Sequence, residues 1–532
     1  MTRTLLTVSD IARTGAERFG TAAALEDSGG ATRLTYRDLW ASVQAGAGAL
    51  RALGLSPRDR VLLFMDGSPA WMTTFLSIVH ADLVAVPIPG GTPGELARLA
   101  ARYAGVRACV HHAFNREAAS GLTDVRCLTP TDLIATDAPS LSGTSATPEA
   151  TAVLVFTSGS TSRPRAVALS HDNLLANLRS LTEVRAAKDD EALLSILPPS
   201  HAFELVAGQL APLAAGARIV YSGTLMPNRL VESLRERAIT RVLCVPALAE
   251  VLAREVVGRL ADDSIVKLDC RDVTSRALVA SCRGLAPSRQ AQVRRAVRRY
   301  IGPSLRSVVV GGAALSPSWV DLLLAVGIEV DLGYGLTEAG PIVSVGLATE
   351  CPIGSVGRPL PNVMVRVGED GEILVQSSGV MQGYLNDAAG SDAALRDGWL
   401  RTGDCGRLDD NGFLFVTGRL KEAIVTASGE TVYPDEIEPC YSSPLFAEHC
   451  IVPARGADGN DVPTLVVCPA RAETSDTELQ RAFRTLRAAA PPRLRAVWMV
   501  RCSVRLPRTA LGKVRRRQLA DNLSLLNPVR PR

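Results

Sequence analysis

The chain has 532 residues, 47% of them hydrophobic and 21% charged, the composition of a folded protein and far from that of a disordered one. A formal net charge of +4 is small for this length and gives no reason to expect a nucleic-acid partner. The length allows about three or four compact units, or fewer in a large α/β enzyme.

Only Lys188, Lys267, Lys421 and Lys513 of the 58 basic residues are lysine, so a lysine inside a motif stands out against the arginines. The 11 cysteines include no C-x-x-C pair and read as reduced, mostly buried thiols. Near the N-terminus the apolar patch at 5–8 is broken by Thr7, short of the roughly 7–15 residues of a secretory signal. A cytoplasmic location is expected. The most apolar window, 71–88, is interrupted by Thr73, Thr74, Ser77, His80 and Asp82, so no membrane span is expected.

In chain order, Leu39, Val43, Ala47 and Leu50 recur at helical spacing with Gly54 as the stop, and an apolar strand follows at 61–65. Another helix leads to a strand at 83–88, and Cys109 and Val110 close the next unit. This alternation predicts a mostly parallel sheet covered by helices. Residues 124–150, rich in Thr, Pro, Ser and Asp, read as a linker or surface loop.

The run 152–156 reads as a buried strand, ahead of Thr157-Ser158-Gly159-Ser160-Thr161-Ser162-Arg163-Pro164-Arg165; beyond it Leu174, Leu175, Leu178 and Leu181 recur at helical spacing. Strand, polar loop and helix form a layout in which hydroxyls, backbone N–H groups and guanidinium groups converge on phosphate oxygens. A plain connector has the same composition. It is not a Walker A loop, because Pro164-Arg165 stands where that pattern needs Gly-Lys.

A strand at 193–197 ends in Pro198-Pro199-Ser200-His201-Ala202-Phe203-Glu204, and a helix of small residues follows at 205–213. Strands at 218–221 and 242–245 continue the alternation, and 254–299 is helical and rich in arginine, read as a solvated face or as a docking surface for an acidic partner or a phosphorylated cofactor. The strand 307–310 runs into Gly311-Gly312-Ala313-Ala314, and the strand 327–332 into Gly333-Tyr334-Gly335-Leu336-Thr337-Glu338-Ala339-Gly340. Ligands of open α/β sheets bind just beyond such strand ends. Segments 363–367 and 372–376 flank a Gly-Glu-Asp-Gly turn and predict a small β-rich subdomain. A final module begins near Arg419 and ends in the basic run 513–517.

Taken together, five stretches resemble the adenylate-forming (AMP-binding) superfamily: 157–165; 333–338; Arg401-Thr402-Gly403-Asp404; Gly418-Arg419-Leu420-Lys421 with Gly429-Glu430; and Pro507-Arg508-Thr509-Ala510-Leu511-Gly512-Lys513. The resemblance spans about 34–519. It implies an N-terminal domain over 1–418, of mostly parallel α/β sheets with a β-rich part at about 345–418. A small mobile α+β domain over 419–532 follows, hinged near 419–421. It also implies ATP- and Mg²⁺-dependent activation of a carboxylic acid to an acyl-adenylate. Pyrophosphate is released, and the acyl group then passes to the pantetheine thiol of coenzyme A or of a separate carrier protein.

By that resemblance Thr157, Ser158, Gly159, Ser160, Thr161 and Arg165 hold the β- and γ-phosphates, Thr337 touches phosphate, and Glu338 holds Mg²⁺. Tyr334, between Gly333 and Gly335, covers adenine, with Gly311, Gly312 and Ala313 on the other side of the base. Asp404 accepts the ribose hydroxyls, a task suited to a two-oxygen acceptor, and Arg419 is a second ribose contact. Lys513 bridges the attacking carboxylate and the α-phosphate. Outside that context Asp404 reads as a turn residue, Arg419 as a surface arginine and Lys513 as a solvated lysine. Lys421 marks the hinge, about which the loop 422–434 turns toward a pantetheine thiol.

The stretch 197–204 is similar to that of fatty acyl-CoA and acyl-carrier-protein synthetases, which places His201, Phe203 and Gly340 at the acid site; a histidine capping a helix start is the other reading of His201. A fatty or aryl acid is therefore expected. Where the family has Gly-x-Pro-Lys-Gly, this chain has Ser162, Arg163, Pro164, Arg165 and Ala166, which keeps the charge and loses two glycines. That departure motivates a second reading, a biosynthetic member activating an unusual acid such as nitrite. A noncatalytic scaffold is a third. Asp521-Asn522-Leu523-Ser524-Leu525 mimics a carrier motif too near the end of the sequence for a carrier domain to follow it.

Overall fold

The computed structural model describes residues 5–134, 138–157, 165–262, 287–312, 315, 317–426, 430–456, 461–508, 514–522 and 528–529. Among these, Ser158, Gly159, Ser160, Thr161, Ala313 and Lys513 are missing, so those expected site residues lie outside the described residues. So do Ser162, Arg163, Pro164, Gly429 and Ser524.

Two large sheets carry the first 360 residues. In one the strands run Arg358–Pro359, Ile342–Leu347, Glu329–Gly335, Ser307–Val310, Arg241–Cys244, Ala192–Ser195, Arg218–Tyr221, Ala23–Asp27 and Arg33–Thr35. Its six central strands are parallel, from Glu329–Gly335 across to Ala23–Asp27, and its edges are antiparallel. The other orders Gly383–Tyr384, Arg165–Ser170, Thr151–Thr157, Val84–Ile88, Arg60–Phe64, Ala108–His111 and Arg126–Leu128. It is parallel from Thr151–Thr157 onward. An antiparallel sheet follows, built from Met364–Val367, Glu372–Gln376, Trp399–Leu408, Leu395–Arg396 and Leu414–Arg419. The last sheet contains Phe446–Arg455, Asp461–Pro469, Trp498–Arg501 and Pro528–Val529.

The strands and helices form where patterning demands. Thr35 caps the helix Tyr36–Ala52 with a full capping box, and its face of Leu39, Val43, Ala47 and Leu50 is buried. Ser68 caps Pro69–His80, whose Trp71 and Phe75 stack at 5.4 Å in the main core. The hydroxyl of buried Tyr36 donates to the Ala217 carbonyl at 2.7 Å and ties this layer to the first sheet.

Three expectations need correction. The segment 124–150 is no uniform loop: it contains the edge strand Arg126–Leu128 and the helix Pro130–Ile134 before irregular chain. The strand expected at 327–332 begins later and continues through Gly335, because the antiparallel neighbour Ile342–Leu347 supplies hydrogen-bond partners that local sequence cannot reveal. The small-residue helix opens as a π-helix, Glu204–Leu210, before Ala211–Ala215.

Six of the nine described cysteines are buried and all nine are free thiols. No helix among the described residues is long and apolar enough to cross a membrane.

The N-terminal residues are locked to the start of the helix His171–Arg185, where the Val8 N–H donates to His171 Nδ1 at 3.1 Å. Burial lowers the His171 pKa from 6.5 to about 4. A histidine kept neutral in the fold and protonated in the unfolded chain contributes stability above pH 6.5 that is lost as pH falls toward 4. Urea unfolding across that window is expected to show a loss of stability in wild type that exceeds the loss in His171→Asn by up to ~3 kcal/mol.

Candidate functional site

The polar loop 158–164 does not lead into a helix as expected. The strands Thr151–Thr157 and Arg165–Ser170 pair antiparallel, with Thr157 opposite Arg165, so the loop joins two strands and the helix His171–Arg185 starts one strand later. The short apolar run 166–169 is the local signal for this strand. Thr157 and Arg165 therefore stand side by side at the loop's base.

Arg165 is held from one direction. Its guanidinium lies over the Tyr384 ring at 5.0 Å, and its Nε stands 3.4 Å from Asp387 Oδ2. The Tyr384 hydroxyl in turn donates to Glu338 Oε1 at 3.0 Å. Burial and then the Glu338 charge push the Tyr384 phenol above its usual range, which keeps it a donor. Gly383–Tyr384 pairs with Ala168 and Val167, and the Met381 N–H donates to the Glu338 carbonyl at 2.9 Å. Thr337 and Glu338 sit in the short helix Thr337–Ala339, between the strand ending at Gly335 and its antiparallel partner. Sequence reading missed Tyr384 and Asp387. Their only local signal was an aromatic residue just ahead of the polar pair Asn386-Asp387.

Gly335 and Gly340 have structural reasons to be glycine. A Cβ on Gly335 would strike the Pro341 carbonyl, and one on Gly340, at φ +84°, would strike the Gly379 carbonyl. Gly333 has no such close neighbour.

Tyr334, Asp404 and Arg419 form a second cluster. The Tyr334 hydroxyl donates to Asp404 Oδ2 at 2.8 Å, and Arg419 Nε lies 3.0 Å from Asp404 Oδ1. Asp404 and Arg419 are register partners on neighbouring antiparallel strands, which places their side chains on one face. Burial and then the Asp404 charge hold the Tyr334 phenol well above its usual range. Asp404 is thus neither a turn residue nor solvated, and Arg419 is no free surface arginine.

The Phe203 ring packs on the backbone of Gly311, where its Cζ would be 2.9 Å from an added Cβ. Gly312 follows at φ +83°. Burial pushes His201 down to about 4, and its Nε2 is buried without a hydrogen-bond partner. His201 stands directly ahead of the helical residues, and its carbonyl accepts from the Leu205 N–H at 2.9 Å.

Lys421 lies in the short helix Leu420–Glu422, directly after the strand that ends at Arg419. Lys513 lies outside the described residues, but both flanks are fixed. Arg508 and Val514 form a bridge, and the Arg515 N–H donates to the Pro507 carbonyl at 2.7 Å. Buried Arg516 reaches Glu422 at 2.8 Å and Glu438 at 3.0 Å, and also pairs with Asp435.

A lone carboxylate such as that of Glu338 could supply one ligand to a hard divalent ion. Among the described residues no group of three or more His, Cys, Asp or Glu could hold a metal. Such an ion would take its remaining ligands from substrate oxygens and water, as Mg²⁺ beside phosphates commonly does.

The family model described as AMP-binding enzyme matches residues 12–385. A feruloyl-CoA synthase of Amycolatopsis sp is 28% identical over 508 residues, covering 91% of this chain and 93% of the relative. A long-chain-fatty-acid–CoA ligase of Mycobacterium bovis is 28% identical over 456 residues, covering 79% and 75%. In fold the chain is similar to o-succinylbenzoate CoA synthetase from Bacillus subtilis in complex with its acyl-adenylate intermediate. That comparison has a TM-score of 0.79 at 21% identity, over 96% of this chain and 97% of the other. The same Bacillus enzyme has been solved with ATP and a magnesium ion.

Gly340→Ala and Gly354→Ala share a positive φ, but only at Gly340 would the new methyl meet backbone. Thermal or urea unfolding is expected to place Gly340→Ala below Gly354→Ala by ~1–3 kcal/mol.

Proposed function

The chain belongs to the family of AMP-binding enzymes, and from that premise we propose that it activates a carboxylic acid with ATP and Mg²⁺ and passes the acyl group to a pantetheine thiol. The observation that carries this reading is a pair of clusters built by side chains from three sheets. Arg165, Tyr384 and Glu338 form one linked cluster, and Tyr334, Asp404 and Arg419 another. Strand ends of open α/β sheets are where ligands bind.

In this reading the strands flanking 158–164 present Thr157 and Arg165 to the triphosphate, together with Ser158, Gly159, Ser160 and Thr161 of the loop between them. Glu338 is the protein's ligand to the magnesium that accompanies ATP, with Thr337 beside it at phosphate. Tyr384 orients the Glu338 carboxylate that would hold the ion. Tyr334 covers adenine opposite Gly311, Gly312 and Ala313, and Asp404 exchanges the Tyr334 contact for ribose hydroxyls, with Arg419 paired to its other oxygen.

The acid lies near His201, Phe203 and Gly340. Its carboxylate oxygen forms a bond to the α-phosphorus as the bond to pyrophosphate breaks. Lys513 neutralises the charge that develops between two anionic groups. Residues from about 419 onward form the mobile domain, turning at Lys421, and a thiol then attacks the acyl carbonyl and releases AMP. Coenzyme A is the acceptor we favour, given relatives named as CoA ligases. A free-standing carrier protein is the alternative acceptor, and the cytoplasm is the proposed location.

ATP–pyrophosphate exchange over a panel of fatty, aryl and amino acids plus nitrite tests the reading. Exchange is expected with fatty or aryl acids and with Lys513→Ala reduced ~10²–10³-fold. Asp404→Ala is expected to raise the KM for ATP by ~10-fold or more with a smaller change in kcat. No exchange with any acid, together with no ATP binding in calorimetry, defeats it; undiminished exchange in Lys513→Ala defeats the role given to that lysine.

A further inference from the structure

Behind Phe203 lies a polar network inside the protein core. Ser195 Oγ donates to Glu204 Oε1 at 2.7 Å, and Gln209 Nε2 donates to the same oxygen at 2.9 Å and to Ser195 Oγ at 3.0 Å. The Tyr221 hydroxyl donates to Gln209 Oε1 at 2.5 Å. Glu204 and Gln209 are fully buried. Ser195 and Tyr221 are the last residues of adjacent parallel strands, so the network stands where this sheet presents its ligand-binding end.

The network satisfies only one oxygen of the carboxyl group. Glu204 Oε2 is buried with no hydrogen-bond partner, and the same holds for His201 Nε2 and Ser200 Oγ. Of the ten such atoms among the described residues, three fall within 200–204, a concentration and not a scatter. The backbone makes room for the group: a Cβ on Gly208, one turn along, would lie 2.5 Å from Glu204 Cδ. The turn itself is π-helical from Glu204 to Leu210, a widened geometry frequent at functional sites.

An aliphatic chain laid against these atoms would leave all three without partners, which disfavours it. A hydroxyl both donates and accepts, so it serves Glu204 in either protonation state and His201 in either tautomer. Burial pushes Glu204 up to about 8, which lets the group donate as well as accept near neutral pH.

We propose that Glu204, with His201 and Ser200, forms a specificity-determining polar subsite for the acid, and that the acid it selects carries a hydroxyl group on its tail. This rests on the acid-activating reading above and names the substrate class within it.

The test is kcat/KM in ATP–pyrophosphate exchange for matched acids: an alkanoic acid with its ω-hydroxy and ω-amino counterparts, and an aryl acid with and without a ring hydroxyl. Wild type is expected to favour the hydroxylated member of a pair by at least ~10-fold, and Glu204→Leu to bring the pair within about twofold. A wild type that exchanges but favours the plain or the amino acid overturns the subsite, as does a Glu204→Leu protein with an unchanged ratio. Should Glu204→Leu fail to fold, as judged by its melting curve, His201→Leu and Ser200→Ala carry the comparison; ratios unchanged in both overturn it. Exchange with no acid at all overturns the activating reading itself, and the subsite with it.

Discussion

A buried carboxylate must be answered by donors or cations, and Asp404 shows what that requirement does to this molecule. Its two oxygens are met by the Tyr334 hydroxyl and the Arg419 guanidinium. Tyr334 belongs to the large, mostly parallel sheet, whereas Asp404 and Arg419 belong to the small antiparallel one. One charge thus fastens two sheets together and fixes the strand from which the chain enters residues 420 onward.

The segment 381–387 does comparable work on the other side of the site. It pairs with the strand Arg165–Ser170 through Gly383 and Tyr384, accepts the guanidinium of Arg165 on its aromatic ring and at Asp387, and donates to Glu338 from Tyr384. Arg165 and Glu338, which carry opposite charges and are 173 positions apart in the numbering, are held in relation by a residue that carries none. Arginine suits this place better than lysine, because a planar guanidinium can stack on a ring while its edge addresses a carboxylate.

The Phe203 ring packs on the backbone of Gly311, and Glu204, the next residue, turns inward to a polar network. Successive side chains at a helix start point in different directions. What distinguishes this one is a carboxyl group left half-satisfied beside a histidine in the same condition.

The sequence by itself determined the helices and strands with clear periodicity, such as Tyr36–Ala52 and Ser307–Val310, because burial of one face is written locally as spacing. It also determined the family, since five short stretches keep their order regardless of how they meet in space. Tertiary structure alone decided that 158–164 joins two strands and that the Glu329–Gly335 strand runs on to Gly335, because an antiparallel neighbour supplies the hydrogen bonds. It alone joined Tyr384 to Glu338 and Tyr334 to Asp404, partners 46 and 70 positions apart, because long-range hydrogen bonds follow from packing and leave no periodic trace in the chain.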